Sequence, residues 1–225
     1  MFTGRIVTLQ SKTVEFFILM VLVTACGSKK DSDKTYPSVI PGAVNLPRTG
    51  QTTCYDTAGK VISCAGTGQD GELRKGVAWP NPRFTNPDGT VPITESTVLD
   101  QLTGLIWTRD GNAPGPATCS PGVTKAWEVA LNYMACLNKW NYLGYSDWHL
   151  PNRKEFRSLV NYEQIHPGTW LNDQGFTNVQ TANYWSSSSD IDNPIDAWLP
   201  DLWYGVVNVG TKIGKHYAWP VRSGQ

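Results

Sequence analysis

Side chains that could bind a metal ion or a small ligand are concentrated late in the sequence. The oxygen-bearing residues are Asp190, Asp192, Asn193, Asp196 and Asp201, and they are followed by the large aromatic residues Trp203 and Tyr204. Hard oxygen ligands on a loop suit Ca²⁺, but the spacing lacks an EF-hand repeat, so this segment is either a calcium site or a solvated acidic loop. No metal or cofactor is assigned to it. Ligand contact is predicted for Trp203 and Tyr204 together with Asp190, Asp192 and Asp196, because loops on a rigid scaffold carry recognition and amphipathic rings suit stacking.

Groups that could catalyse a reaction do not form a recognisable set. The serine run at residues 186–189 lacks a GxSxG turn, and no nearby histidine is placed to serve as its base. The three histidines are far apart and the cysteines show no CxxC spacing, which disfavours a zinc site. The sequence therefore predicts that the chain is not an enzyme.

The N-terminal residues have the pattern of an export signal. Basic residues precede Phe16–Ala25, an apolar run too short to cross a bilayer as a helix. The run ends in Val-Thr-Ala-Cys26, which resembles the lipobox of bacterial lipoproteins, whose cysteine carries the lipid. We therefore expect a signal peptide over residues 1–25, lipid on Cys26, and attachment to a membrane of the bacterial envelope by that lipid. Gly27 at the second mature position favours the outer membrane. The side of that membrane that the protein faces stays open. The alternative to lipid attachment is that Cys26 is an incidental thiol after an ordinary signal peptide.

Four further cysteines indicate an oxidising compartment. They are Cys54, Cys64, Cys119 and Cys136. An even number in an exported chain predicts two disulfides, for which three pairings are possible. Near-neighbour pairing, Cys54 with Cys64 and Cys119 with Cys136, is the most economical. The first pair would close a short hairpin that turns at residues 58–60.

Composition bounds the class of protein. The chain has 19 basic and 19 acidic residues, and removal of the signal leaves a net charge of −1, which gives no electrostatic basis for binding nucleic acid. Ten tryptophans, 15 prolines and 21 glycines indicate a loop-rich, aromatic-packed protein. The polar, proline-bearing residues 26–45 predict a flexible tether, and residues 46–98 predict a loop-rich leader that contains the disulfide hairpin.

Two helices are predicted to position the late residues. An apolar stripe at three- and four-residue spacing predicts a helix over residues 125–138, with Thr124 as its N-cap. Asn152 and Glu155 have the spacing of a capping box, which predicts a second helix over residues 153–161. Short stretches rich in aromatic and β-branched residues between 184 and 222 predict strands of one antiparallel sheet, so the fold class is α+β.

Five motifs in order carry a resemblance to a known family. They are Leu102–Trp107, Ser146–Glu155, Tyr184–Ser187, Ala197–Trp198 and Trp219–Arg222. Together they make residues 99–222 similar to the Lcl C-terminal domain family, which occurs at the end of a collagen-like bacterial adhesin and in many exported proteins. The resemblance implies a C-type lectin-like fold, with two helices, a small antiparallel sheet and long irregular loops.

The motif residues have predicted structural roles. Burial of a tryptophan contributes a few kcal/mol, so we expect a core that contains Trp107, Trp148, Trp185, Trp198 and Trp219. The charged trio at residues 153–155 is expected to form an ion pair with Arg222 that joins the start of the second helix to the last strand.

The leading functional prediction is a non-enzymatic envelope or cell-surface lipoprotein whose lectin-like domain binds a glycan or protein ligand in adhesion. A structural or envelope-assembly lipoprotein that docks another protein is the alternative. A divergent enzyme on a scaffold like that of formylglycine-generating enzymes is disfavoured, because those enzymes use late cysteines and none follows Cys136. The chain has no Gly-X-Y repeat to form a trimeric stalk, so its oligomeric state stays open.

Overall fold

The computed structural model describes residues 46–224, so the predicted signal peptide, Cys26 and the tether lie outside the described residues. In chain order the elements are β1 (Cys54–Tyr55), β2 (Val61–Ile62), α1 (Asp70–Leu73), β3 (Phe84–Thr85), β4 (Thr97–Asp100), β5 (Leu105–Thr108), α2 (Trp127–Lys139), α3 (Arg153–Ser158), α4 (Pro167–Asp173), β6 (Asp196–Pro200), β7 (Val207–Thr211) and β8 (Val221–Ser223), with short 3-10 turns at Ala117–Cys119 and Tyr142–Gly144. Short helices combined with small antiparallel sheets confirm the α+β class.

The strands form three antiparallel groups. The largest sheet has the order β3-β4-β5-β8, and β1 pairs with β2 and β6 with β7 as separate hairpins. The prediction of one late sheet is therefore wrong. The last strand leaves the late region to pair with β5, where Trp107 lies opposite Val221. The Tyr184–Ser188 stretch makes only isolated bridges, because the backbone amides of Trp185 and Ser186 donate to two different segments.

The helix α2 begins two residues later than predicted, and its N-cap position is Ala126. Thr124 is therefore not the N-cap. The reason lies in Lys125, whose backbone exchanges two hydrogen bonds with His216 of 2.9 and 3.0 Å. This bridge holds Lys125 in extended backbone, so α2 can begin only after Lys125.

The helix α3 has the predicted start but an earlier end. The Asn152 side chain accepts hydrogen bonds from the amides of Lys154 and Glu155, and the Glu155 carboxylate accepts from the Asn152 amide, which confirms the capping box. The helix stops at Ser158 because the next two amides bond three residues back rather than four. Two further helices, α1 and α4, were not predicted; the seven residues of α4 begin at a proline and contain no repeating apolar stripe.

The tryptophans of the motifs form the centre of the core. Trp107, Trp148, Trp185 and Trp219 are at most 2% exposed. Trp107 and Trp219 meet edge to face at 5.3 Å, the arrangement that aromatic quadrupoles favour. Trp198 differs from the prediction because it is only half-buried, with the guanidinium of Arg153 3.9 Å above its ring.

The predicted ion pair between the α3 trio and Arg222 is wrong. Arg222 Nε donates to Asp147 Oδ1 at 2.7 Å, so the last strand is joined to the residues that precede the motif proline. Glu155 is occupied by its capping box and lies 3.4 Å from His149 Nε2. Glu155, the one carboxylate of the trio, therefore bonds its own helix start and His149 and does not pair with Arg222.

Both predicted disulfides are present. Cys54 bonds Cys64 across the β1–β2 hairpin, and Cys119 in the first 3-10 turn bonds Cys136 in α2, with Cα–Cα distances of 5.2 and 5.8 Å. Within residues 46–224, no helix is long and apolar enough to cross a membrane.

Candidate ligand-binding site

The platform for the candidate site is residues 181–186, held between two neighbouring segments. On one side the Tyr184 amide donates to the Pro200 carbonyl at 2.9 Å, next to the end of β6. On the other side the Trp185 amide donates to the Tyr217 carbonyl at 2.8 Å. Residues that follow β6 and residues that precede β8 are therefore brought to the two edges of one extended segment.

Buried tryptophans fix this platform to the rest of the domain. Trp185 Nε1 donates to the Lys125 carbonyl at 2.7 Å, and Trp219 Nε1 donates to the Thr108 carbonyl at 2.8 Å. Each indole thus satisfies its one polar group while its rings fill the core. The motif tryptophans are scaffold, which positions the less buried residues beside them.

A cleft of about 480 Å³ opens over the platform, and we call it the Trp203 cleft. It is lined by Thr124, Thr181, Ala182, Asn183, Asp201, Trp203, Tyr204, Lys215, His216 and Tyr217. Its volume lies within the range of about 300–1,000 Å³ that is usual for small-molecule sites. Three aromatic rings and several polar groups converge on it, which is the composition expected of a site that orients a ligand.

The two exposed aromatic residues of the cleft stand on a short, well-fixed turn. Trp203 is 41% exposed and Tyr204 70% exposed. The Trp203 amide donates to Asp201 Oδ1 at 2.7 Å, and the Gly205 amide donates to the Asp201 carbonyl at 2.9 Å. Gly205 has φ +72°, a conformation that favours glycine, and a Cβ there would lie only 3.0 Å from a side-chain methyl of Val160.

A histidine packs against Trp203. The ring centroids of His166 and Trp203 are 4.3 Å apart, and His166 Nδ1 lies 3.1 Å from the Trp203 carbonyl oxygen. The turn and the histidine thus fix the backbone of Trp203, and the imidazole packs against its indole. Preorganisation of this kind lowers the entropy cost of binding.

The ionisable groups of the cleft nearly balance. Asp201 is 8% exposed and is already hydrogen-bonded to the Trp203 amide. Lys215 is exposed, and His216 packs edge-on against Trp185 at 4.8 Å. Burial lowers the pKa of His216 below its usual value, so the ring is neutral at pH 7. The cleft therefore has one carboxylate and one ammonium group and no surplus of either charge.

One polar atom of the cleft residues lacks a partner. Asn183 Oδ1 is shielded from solvent and accepts no hydrogen bond within the described residues. The backbone of Asn183 is bridged to Asp201 and accepts from the Tyr217 amide, so the residue itself is firmly placed. An unpaired buried oxygen costs about 1–3 kcal/mol, and because this atom has almost no exposed surface it does not face the open volume of the cleft.

The predicted ligand-contact residues are separated into two places. Trp203, Tyr204 and Asp201 lie at the Trp203 cleft, beyond the C-terminal end of β6. Asp190 and Asp192 belong to the turn before β6, where the Asp190 amide bonds the carbonyl of Asp196. Five residues of extended chain separate Asp196 from Asp201, which corresponds to about 16 Å. Asp190, Asp192 and Asp196 therefore do not share a site with the aromatic pair.

The acidic turn is organised by its own hydrogen bonds. Asn193 Nδ2 donates to Asp196 Oδ2 at 2.8 Å, and the Asp192 amide donates to Asp190 Oδ1 at 3.2 Å. Among residues 46–224, no three His, Cys, Asp or Glu side chains are placed to hold a metal ion together. The calcium site and the solvated acidic loop therefore both stay predictions.

Sequence reasoning missed the residues contributed by the other segments. Asn183 and Tyr217 each stand two positions before a motif tryptophan, Trp185 and Trp219 respectively, and His216 precedes Tyr217. The sequence did contain a signal for them. Polar or amphipathic residues close to a buried motif tryptophan are candidates for the surface beside it. The pairing that brings the two motifs together could not be inferred from one sequence.

These observations define a disulfide-braced α+β module with a preformed aromatic cleft, a class of domain suited to ligand binding. The profile of the Lcl C-terminal domain family matches residues 96–222, more than half of the chain. The chain belongs to the Lcl C-terminal domain family. A search of curated proteins returned no match. The family is adhesin-like and is not known for enzymatic activity, so membership suggests an adhesin-like surface protein.

Proposed function

We propose that this protein is a lipid-anchored, adhesin-like protein of the bacterial envelope whose C-terminal domain binds an external ligand in the Trp203 cleft. The observation that carries the proposal is the exposed pair Trp203 and Tyr204 on a turn that Asp201, Gly205 and His166 hold rigid. Trp203 and Tyr204 present two adjacent rings whose centroids are 6.2 Å apart, and a contiguous exposed apolar patch marks a candidate interaction site. Membership in an adhesin-like family supports the same reading.

The proposal includes a C-type lectin-like architecture for the domain and a glycan as the leading ligand. Supporting features are short helices, small antiparallel sheets and long loops, with the cleft formed where several loop segments meet. An aromatic ring offers the apolar face of a sugar a stacking surface, while the polar groups around it bind hydroxyl groups. Docking of a protein partner at the same aromatic pair is the competing proposal.

Membrane attachment is proposed through a lipid on Cys26. The apolar run that ends in Val-Thr-Ala-Cys supports it, as do the two disulfides, which are stable in the oxidising envelope. The Cys26→Ser variant should move from the membrane fraction to the soluble fraction. Protease accessibility on intact cells then determines which side of the membrane the domain faces, and surface exposure is required for adhesion.

Binding is tested with Trp203→Ala and Tyr204→Ala on arrays of glycans and of envelope or host proteins. We expect each substitution to weaken ligand capture about 5- to 150-fold, on the basis of the 1–3 kcal/mol that an aromatic ring contributes when it stacks on a nucleobase. The melting temperature should change by no more than about 3 °C, because these rings pack little of the core. Trp140→Ala is the matched control: Trp140 is 56% exposed and does not line the cleft.

The outcomes separate the proposals. Saturable glycan capture that Trp203→Ala removes supports lectin-like adhesion. Capture of protein alone supports the structural or assembly alternative. Equal loss for Trp140→Ala and Trp203→Ala, or a large drop in melting temperature for the cleft variants, would contradict a binding role for the aromatic pair.

A further inference from the structure

We infer that the part of the leader at which the tether joins the domain lies against the anionic phospholipid bilayer that carries the lipid anchor. We call this part the entry surface and define it as Leu46 together with residues 73–77. The inference rests on the proposed function, because it takes Cys26 to be lipid-anchored. It goes beyond anchoring, because it assigns a second membrane contact to the folded domain itself.

The two segments of the entry surface are joined by backbone hydrogen bonds. The Val77 amide donates to the Leu46 carbonyl at 2.9 Å, and the Arg48 amide donates to the Val77 carbonyl at 3.0 Å. Gly76 has φ +104°, and a Cβ there would lie 2.6 Å from the Leu46 carbonyl oxygen, so this close approach favours glycine. Leu46 is therefore fastened beside residues 73–77, and the chain toward the anchor leaves the domain at this point.

The exposed side chains of the entry surface are apolar and basic. Leu46, Leu73 and Val77 are 77%, 50% and 40% exposed. Arg74 and Lys75 are exposed as well, and neither forms an ion pair within residues 46–224. Apolar side chains beside cations are the composition that binds at the interface of an anionic membrane.

The nearest carboxylates, those of α1, are engaged by the leader. Asp70 accepts a hydrogen bond from the Thr49 hydroxyl. Glu72 accepts from two amides of the loop at residues 66–68, at 2.6 and 2.7 Å. The two acidic side chains therefore bond groups of the leader and do not pair with the basic residues of the entry surface.

The formal charges of the mature chain are unevenly distributed. Residues 27–77 contain seven basic and five acidic residues, whereas residues 78–225 contain ten basic and thirteen acidic residues. The part nearest the anchor is thus net positive and the remainder net negative. An anionic surface attracts the first part and repels the second, which favours an orientation with the entry surface against the lipid.

The distance along the chain between Cys26 and Leu46 makes a weak contact sufficient. They are 20 positions apart, and a flexible chain of that length has an end-to-end distance of about 25 Å. A lipid on Cys26 would therefore hold the entry surface near the bilayer at an effective concentration on the order of millimolar. Each basic residue at an anionic surface then raises the ratio of docked to free domain about fivefold.

The test uses the mature, lipidated chain inserted into preformed vesicles of phosphatidylcholine, either alone or mixed with phosphatidylglycerol as the anionic lipid. Flotation of the vesicles reports anchoring. The readout for docking is the rate at which a neutral reagent acetylates Lys75, divided by the rate at Lys215, an exposed lysine of the Trp203 cleft. We expect this quotient to be at least about fivefold lower on the anionic vesicles. The difference should shrink between about 100 and about 500 mM NaCl, because salt screens the attraction.

Variants of the entry surface separate docking from folding. Arg74→Gln removes one cation and should raise the acetylation of Lys75 on anionic vesicles about fivefold. Val77→Ser removes an exposed apolar group and should change the rate in the same direction. The matched controls are Lys139→Gln and Val129→Ser, both at exposed positions of α2, and they should leave the rate unchanged. Each variant is compared between the two kinds of vesicle, so a local effect on lysine reactivity cancels, and melting temperatures report folding.

Failure of the inference is distinguishable from failure of the proposed function. A chain that floats with the vesicles while Lys75 is acetylated equally on both kinds would overturn the docking of the entry surface and leave the lipid anchor intact. Protection of Lys75 that neither salt nor Arg74→Gln reduces would overturn anionic lipid as the partner. A chain that does not float would refute the lipid anchor and the inference with it.

Discussion

A buried ion pair between the leader and β4 is predicted to contribute strongly to the free energy of unfolding. Arg83, next to β3, donates through Nε and Nη2 to both carboxylate oxygens of Asp100 at 2.9 and 2.8 Å, and Nη2 also donates to the carbonyl of Ser158. Arg83 is 5% exposed and Asp100 is not exposed at all. The pair therefore joins the leader, β4 and the end of α3 at one point. It also lies partly outside the matched family region, which begins at residue 96.

The substitution Arg83→Met keeps the apolar stem of the side chain and removes its charge. Asp100 is then left as a buried carboxylate without its cation, although the amide of Leu102 and the hydroxyl of Thr103 still donate to it. Breaking a buried pair from one side costs about 3–5 kcal/mol of the free energy of unfolding. For a domain of this size 1 kcal/mol corresponds to about 2–4 °C, so the melting temperature should fall by about 6–20 °C.

The assay is thermal unfolding followed by circular dichroism, with disulfides intact. The matched control is Arg157→Met, because Arg157 is an exposed arginine of α3 that bonds only the hydroxyl of Tyr162. The control should melt within about 2 °C of the unaltered chain, as expected for an exposed contact. If Arg83→Met also melted within about 2 °C of it, the leader would not be part of the cooperative fold and the reasoning would be refuted.

Two further predictions concern stability. Replacement of Cys119 and Cys136 by serine opens a crosslink of sequence separation 17, which should cost about 3 kcal/mol and lower the melting temperature by about 6–12 °C, measured by calorimetry. His149 has its pKa raised, chiefly by its hydrogen bond to Glu155. The stabilisation from this bond is fully present below the unfolded-state pKa of about 6.5 and is lost as the pH rises through the higher folded-state pKa. The His149→Gln variant should therefore approach the stability of the unaltered chain above that pH, with a difference at pH 5.5 of only about 0.5 kcal/mol, since the pair is partly exposed. An equal difference at pH 5.5 and pH 9 would contradict this.

Local signals in the sequence predicted the elements that they determine by themselves. The capping box needs only Asn152 and, three positions later, Glu155, and the start of α3 was predicted correctly from it. The apolar stripe of α2 likewise depends only on residues within that helix, so the helix itself was predicted from it. The N-cap of α2 was misplaced because its position is set by the bridge between Lys125 and His216, residues 91 positions apart in the chain.

The candidate site was predicted only in part for the same physical reason. The exposed aromatic pair follows β6 directly and was visible as two large rings beside a loop. The polar half of the cleft comes from residues before Trp185 and Trp219, which meet only when three distant segments pair. The prediction also grouped Asp196 with Asp201 because they are only five positions apart in sequence. The chain between them is the extended strand β6, which places them at its opposite ends.

A short segment links the leader to the Trp203 cleft. The Tyr162 amide donates to the Thr49 carbonyl, and the Glu163 carboxylate accepts from the amides of Thr52 and Thr53 at 2.7 and 3.1 Å. Three residues later His166 supports the ring of Trp203. If the chain is anchored at Cys26 and holds a ligand in the cleft, as proposed, the pulling force enters at the leader and reaches the ligand through residues 162–166. Glu163 thus ties two leader amides to the segment that continues to His166. The leader is then part of the adhesive head, which explains why it is fastened to the domain by Glu163 and Arg83 instead of continuing the tether.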